Sequence, residues 1–331
     1  MRKLIALVVI SATLYGGYWF VGRSQIQSRL SEALVEMDAG DYDLTYDTLH
    51  TQGFPSRFDT TITNLEFSDP MTATSWTAPL FQLFALSYRP NEVIAVFPNK
   101  QTLTVDGEVF TLLTNDMRAS GKVRTNASLV FQTATIEMDN PRIQTEEGAE
   151  LAMASILAAM RLTPATSQTY DVFLEARSIE LPEDIRRIID PQNLQPPIMQ
   201  SLRFDSDVDL TAPIELNGSS TNPIELAAIS IKEFALAWGD MSVSAIGDVT
   251  PDETGLLDGS FSISARNWQQ VLDLAVATGS IPEQRRLLIV GMAASIDETP
   301  HVPDTLTVTL SIIDGQMALG PIPLGAAPRL R

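Results

Sequence analysis

The chain begins with an apolar block. Residues Leu4 to Gly22 form 19 positions without a formal charge. A helix of that length spans about 28 Å, close to the roughly 30 Å hydrocarbon thickness of a bilayer. Arg2 and Lys3 precede the block, Tyr15, Tyr18 and Trp19 lie toward its far end, and Arg23 closes it. Aromatic rings favour the membrane interface and basic residues favour the cytoplasmic side. The pattern therefore predicts a single-pass inner-membrane anchor with a cytoplasmic N-terminus and the bulk of the chain in the periplasm. A cleaved signal peptide competes, but Leu14-Tyr15-Gly16 is a poor cleavage pattern. A buried core helix is the third reading.

Beyond the block, Ile26, Leu30, Leu34 and Met37 recur at helical spacing and Gly40 offers a stop. This predicts an amphipathic helix that covers a sheet. From Tyr42 the period falls to two. Tyr42, Leu44 and Tyr46 alternate with polar residues, as do Phe58, Thr60 and Ile62, and further alternating runs follow at 81–89, 93–97, 101–105, 108–113, 117–123 and 127–138. Asp106-Gly107, Asp258-Gly259 and Asp314-Gly315 each separate two strand-like stretches and read as tight hairpins of an antiparallel meander. Helices are expected at 146–162, at 182–190, from a cap at Asn267 to Ala277, and from a Ser280/Glu283 capping box to about Ala294.

The stretch 190–197, DPQNLQPP, has three prolines and no periodicity, and serves as the expected boundary. The expected organisation is a cytoplasmic stub at 1–3, the anchor at 4–22, a juxtamembrane helix at 23–40, and β-rich halves at 41–190 and 191–331. The halves can also form one continuous sheet. The tripeptide Arg-Phe-Asp at 57–59 recurs at 203–205. It suggests a duplication, with chance as the equal alternative.

Composition narrows the chemistry. The 331 residues carry 22 basic and 41 acidic side chains, a net charge of −19, with two His and no Cys. Without Arg2, Lys3 and Arg23, 19 basic residues face 41 acidic ones in segment 24–331, a net −22. That sign excludes a nucleic-acid binder and predicts a domain that stands off anionic lipid. Zero Cys excludes disulfides, thiolate metal sites and thiol nucleophiles. His50 and His301 are too few for a histidine metal centre. Asp205, Asp207 and Asp209 resemble a calcium loop at first sight, but Leu210 and Leu216 occupy the positions that need Gly and Glu. They read instead as the wet face of a strand with Phe204, Val208 and Leu210 inward. No nucleophile elbow or phosphate loop is present. No catalytic residue, metal site or cofactor is assigned.

One apolar face stands out. Phe234, Leu236 and Trp238 share a strand face, and Phe261, Ile263, Leu306, Val308 and Leu310 extend the pattern into later strands. Helices at 267–277 and 281–294 can fill this face as a core, or it can stay open as a groove for an acyl chain.

A further set of residues carries a resemblance. Gly53-Phe54-Pro55-Ser56-Arg57-Phe58-Asp59 follows the anchor, then Asp69-Pro70, Trp76-x-Ala78-Pro79 and Ser87-Tyr88-x-Pro90. Over most of its length the chain resembles the bacterial envelope family known as domain of unknown function 2125. That family brings no catalytic residues. Physically, Gly53 and Pro55 would fix how the chain turns into a strand, and Arg57 and Asp59 would share a strand face and pair. The C-terminal run from Asp314 to Pro321 is similar to the last hairpin of AsmA-like envelope proteins. That likeness implies a curved sheet with an apolar inner face and a part in lipid handling. The expected fold is thus α+β and β-rich: a transmembrane helix, then strongly curved antiparallel sheet with a few covering helices. The expected function is non-enzymatic binding of lipid or another apolar ligand in cell-envelope maintenance. The alternatives are an assembly factor that docks other envelope proteins and, third, a carboxylate-dependent hydrolase.

Overall fold

The computed structural model describes every residue except 1, 39–41, 192, 194, 217–223, 253, 299–301 and 330–331. Gly40 and His301 therefore lie outside the described residues. Among the described residues the chain is one N-terminal helix followed by a large, strongly curved antiparallel sheet with three short helices. It divides into two compact units. One comprises Met1–Thr125 and Ile136–Gly148, the other Asn126–Thr135 and Ala149–Arg331. The Pro-rich stretch 190–197, expected between two halves, lies inside the second unit.

The first unit starts with α1 (Arg2–Asp38), followed by β1 (Asp43–Thr45), β2 (Thr48–Gln52) and β3 (Arg57–Asp69). Then come β4 (Thr74–Leu86), β5 (Arg89–Val96), β6 (Lys100–Val105), β7 (Glu108–Leu113) and β8 (Asp116–Val123). β9 (Phe131–Asp139) is shared by both units, and β10 (Arg142–Thr145) completes the first. Its pairing is not a simple meander. The long β4 pairs β6 through Thr74–Thr77 and β5 through Gln82–Leu86, while β5 also pairs β8. Asp106 and Gly107 adopt φ of 51° and 83° between β6 and β7, as a tight hairpin requires. α1 lies along this sheet: Leu34 packs with the buried Leu44, Ile62 and Leu65. The helical run seen in the sequence and the apolar block before it form one unbroken helix.

The second unit holds β11 (Glu150–Ala152), β12 (Ser155–Leu162), β13 (Thr169–Glu180), α2 (Glu183–Ile189), β14 (Ile198–Leu210), β15 (Leu226–Trp238), β16 (Met241–Pro251) and β17 (Leu257–Arg266). α3 (Trp268–Ala277) and α4 (Glu283–Ile296) interrupt the strands before β18 (Thr305–Ile313), β19 (Gln316–Leu319) and β20 (Ile322–Ala326). From β12 to β20 each strand pairs antiparallel with the next, which is the expected meander.

Three sequence expectations need correction here. Segment 146–162 is not a helix: Gly148, at φ 88°, closes a turn onto Thr145, and β11 and β12 follow. Ala and Met favour helices, but Ala158, Ala159 and Met160 lie opposite Leu174, Phe173 and Val172, and that cross-strand packing overrides propensity. Asp258-Gly259 is not a hairpin. It lies inside β17, between β16 and β18, and the connection from β16 falls at 252–256. Gly259 serves close approach, since a Cβ there would sit 2.1 Å from the Asp248 carbonyl oxygen. Third, Asn267 is the N-cap of α3 but makes no side-chain capping bond, and the N-cap of α4 is Pro282, not Ser280. Asn267 instead donates to the Asp240 carbonyl, and Ser280 bonds Thr278. The second Arg-Phe-Asp copy lies in the middle of β14, whereas the first opens β3.

Candidate functional site

Two constellations carry the sequence-predicted residues, one in each unit. In the first unit the motif 53–59 is a socket for α1. Gly53 (φ 107°) accepts a hydrogen bond from the Arg57 amide, closing the loop before β3. A Cβ on Gly53 would fall 2.9 Å from the Arg57 carbonyl oxygen, so only glycine fits. The loop sets Phe54 and Phe58 around Trp19, in edge and stacked geometry at 5.3 and 5.9 Å. Trp19 is buried, and its Nε1 donates to the Arg57 carbonyl at 2.8 Å. Tyr15 donates to the Pro55 carbonyl at 3.0 Å, and Tyr18 donates to the Ser87 carbonyl at 2.6 Å. Gly22 lets the helix approach, because a Cβ there would lie 2.9 Å from the Phe58 ring.

Arg57 and Asp59 pair at 2.9 Å beside this socket. Asp69 and Pro70 are elsewhere, at the β3–β4 turn, where Asp69 accepts from the Met71 amide and the Thr72 hydroxyl. Those bonds, the Thr72 hydroxyl first, lower the Asp69 carboxyl below its ordinary value. The sequence placed Tyr15, Tyr18 and Trp19 in a membrane belt and missed their protein partners. Both segments are rich in glycine and aromatic residues, but nothing in either marks the other as its partner.

The second constellation is the inner face of the second unit. Pairing puts Ala158, Leu174, Phe204, Phe234, Ala245, Ile263 and Val308 directly opposite one another across seven strands, β12 to β18. A flanking row runs through Leu236, Val243, Ala265 and Leu306, and another through Gly247, Phe261, Leu310 and Leu319. Phe234, Leu236, Trp238, Phe261, Ile263, Leu306, Val308 and Leu310 thus share one continuous face.

That face is filled at one side. Leu272 of α3, together with Ile289 and Ala293 of α4, packs on Leu306, Val308 and Leu319. Val271 and Leu274 pack near Trp238, whose Nε1 donates to the Pro196 carbonyl at 2.7 Å. An Arg286–Asp273 ion pair at 2.6 Å ties the two helices. Toward β12 the cover thins. Phe204 and Phe234 are half-buried, and Leu174 remains 36% exposed. A cleft of about 420 Å³ opens between α2, α3 and α4, lined by Met241, Leu274 and Val276 but also by Asp190, Asp273 and Arg286.

The opposite face is charged. Arg161 and Lys232 converge on Asp171, and Lys232 also bonds Asp207 at 2.6 Å. Arg203 lies over the Phe173 ring at 5.1 Å and pairs with Glu233. Asp205, Asp207 and Asp209 belong to this outer face, while Phe204 and Val208 belong to the inner one. The Arg161 guanidinium, and after it the Lys232 ammonium, hold the Asp171 carboxyl far below the ordinary carboxylate range. A depressed pKa stabilises the fold above the unfolded pKa, and that stability is lost as pH falls. Asp171→Asn is therefore expected to lower stability by about 1 kcal/mol at neutral pH. The gap to the parent should begin to narrow below about pH 4 and close only as pH falls through the much lower folded pKa. Urea titrations at neutral and acid pH check this, and a gap independent of pH would refute it.

Among the described residues no group of three His, Asp or Glu side chains converges as a metal site requires. His50 is exposed on β2, paired with Thr61. Residues 19–328 match the family described as "Uncharacterized protein conserved in bacteria (DUF2125)". No curated protein matches the chain.

Proposed function

We propose that this chain, which belongs to that bacterial family, is a single-pass membrane-anchored protein whose second unit binds an acyl-chain ligand. α1 is long and apolar enough to span a bilayer, over Ile5–Glu32. Arg2 and Lys3 place its N-terminus in the cytoplasm of this reading and the sheet units in the periplasm. The inner membrane, a non-enzymatic role and envelope maintenance complete the proposal.

The observation that carries it is the seven-strand apolar row. Its β12–β15 portion is half-covered, while the polar face behind it is fully built with ion pairs. Burying a hydrocarbon chain on such a face yields about 0.8 kcal/mol per methylene. Leu174 stands in the middle of the less covered portion, and its exposure makes it a safe site to change. The full chain, purified in mild detergent, is expected to retain lipid in native mass spectrometry. Leu174→Glu should reduce the bound fraction about tenfold, the loss of roughly one apolar side-chain contact. Equal lipid retention by Leu174→Glu would refute this face as the site.

A further inference from the structure

The socket leaves too little free helix to cross a bilayer. Among the described residues, contacts from α1 to the sheet of the first unit begin at Tyr15. The stretch from Leu4 to Leu14 covers only about 16 Å, against roughly 30 Å of hydrocarbon. We propose that the socket itself completes the span: the tips carrying Phe54 and Tyr88 insert into the lipid leaflet on the domain's side. This rests on the reading of α1 as a membrane span, and the test below separates the two.

Three observations support it. First, the tips are apolar and open, with Phe54 55% and Tyr88 64% exposed. They adjoin Tyr18 and Phe20 of α1, and Phe20 stacks on Phe54 at 5.8 Å. Second, the loop backbone is prepared for a place without water. Tyr15, Tyr18 and Trp19 donate to the carbonyls of Pro55, Ser87 and Arg57, and the Ser87 amide donates to Ser56. Non-helical backbone at membrane depth is tolerated only where its polar groups are satisfied. Third, Arg57 and Arg89, paired with Asp59 and Glu92, flank the tips with half or more of their side chains exposed, and Arg23 lies over Trp19. Long guanidinium side chains of this kind reach from apolar depth to the headgroups. The chain's large negative charge argues for standing off lipid at long range, but at this rim the three arginines outnumber the two carboxylates, Asp59 and Glu92, that pair with them.

The orientation follows from the contacts. Trp19 meets Phe58, Gln27 donates to the Leu49 carbonyl opposite Ile62, and Leu34 packs with Leu65. β3 therefore runs along the helix, away from its apolar end, and Met71 lies beyond the far end of that strand.

The chain has no cysteine, so a single introduced one reports alone. Leu7→Cys, Phe54→Cys, Tyr88→Cys and Met71→Cys variants of the full chain would be spin-labelled in nanodiscs of phosphatidylethanolamine and phosphatidylglycerol. Accessibility to oxygen and to a water-soluble nickel chelate then gives depth at each position. Labels at 7, 54 and 88 should favour oxygen, and the label at 71 should favour the chelate. Oxygen preference at 7 with chelate preference at 54 and 88 would overturn the insertion and keep the anchor. Chelate preference at 7 would overturn both.

Discussion

Gly247→Val is expected to destabilise the second unit by about 3 kcal/mol, through a clash that repacking cannot relieve. A Cβ at Gly247 would lie 2.2 Å from the Ser260 carbonyl oxygen and 2.7 Å from the Phe261 Cα. Both contacts are backbone, so the paired strand itself must move. Gly259 is the matching position on β17, across from Val249. Two glycines offset by two residues along the pair let β16 and β17 approach closely, and strand glycines are a recurring device for curving a sheet. Gly121 is the control. It is also a strand glycine, but a Cβ there meets nothing within 4 Å. Gly121→Ala should be neutral or slightly stabilising by restricting the unfolded chain. Thermal unfolding of the full chain followed by circular dichroism separates the two. Equal midpoints for Gly247→Val and the parent would sink the argument.

Trp19→Ala should have a comparable effect on the seat of α1, on the order of 3–5 kcal/mol. The change removes stacking on Phe58, the edge contact with Phe54 and the bond to the Arg57 carbonyl at once. Trp19→Phe keeps most of the ring packing but loses the donor, so about 1 kcal/mol is expected. Hydrogen exchange of the Arg57–Thr61 amides should rise strongly in the alanine variant and modestly in the phenylalanine variant. A flat exchange profile in both would show that the socket does not hold the helix.

The parts of the fold that were legible in the sequence were the ones carried by local periodicity. Period-two alternation marked the strands around Phe58, Phe234 and Leu306, and the Asp106 and Asp314 turns fell where their positive φ angles were expected. The segment 146–162 was illegible because its alternation of Ile156, Ala158, Met160 and Leu162 was masked by residues that also favour helix. Only the partner strand β13 decides between the two. Asp258-Gly259 misled for a related reason. Glycine serves both turns and close approaches, and the distance to Asp248 that distinguishes them is a tertiary quantity.

The candidate sites divide the same way. The eight apolar residues from Phe234 to Leu310 could be assigned to strand faces from parity alone. That they align into one row across β12–β18 depends on register, and that α3 and α4 cover only its later part depends on packing. In the first unit, the sequence determined an apolar helix with an aromatic end and a Gly-Phe-Pro motif. It held no information that the two touch, because contact between residues some forty positions apart is fixed by the path of the chain through β2 and β3. Hydrophobic pattern specifies what must be buried. Only the folded backbone specifies against what, and here that decides which carbonyls Tyr15, Tyr18 and Trp19 satisfy.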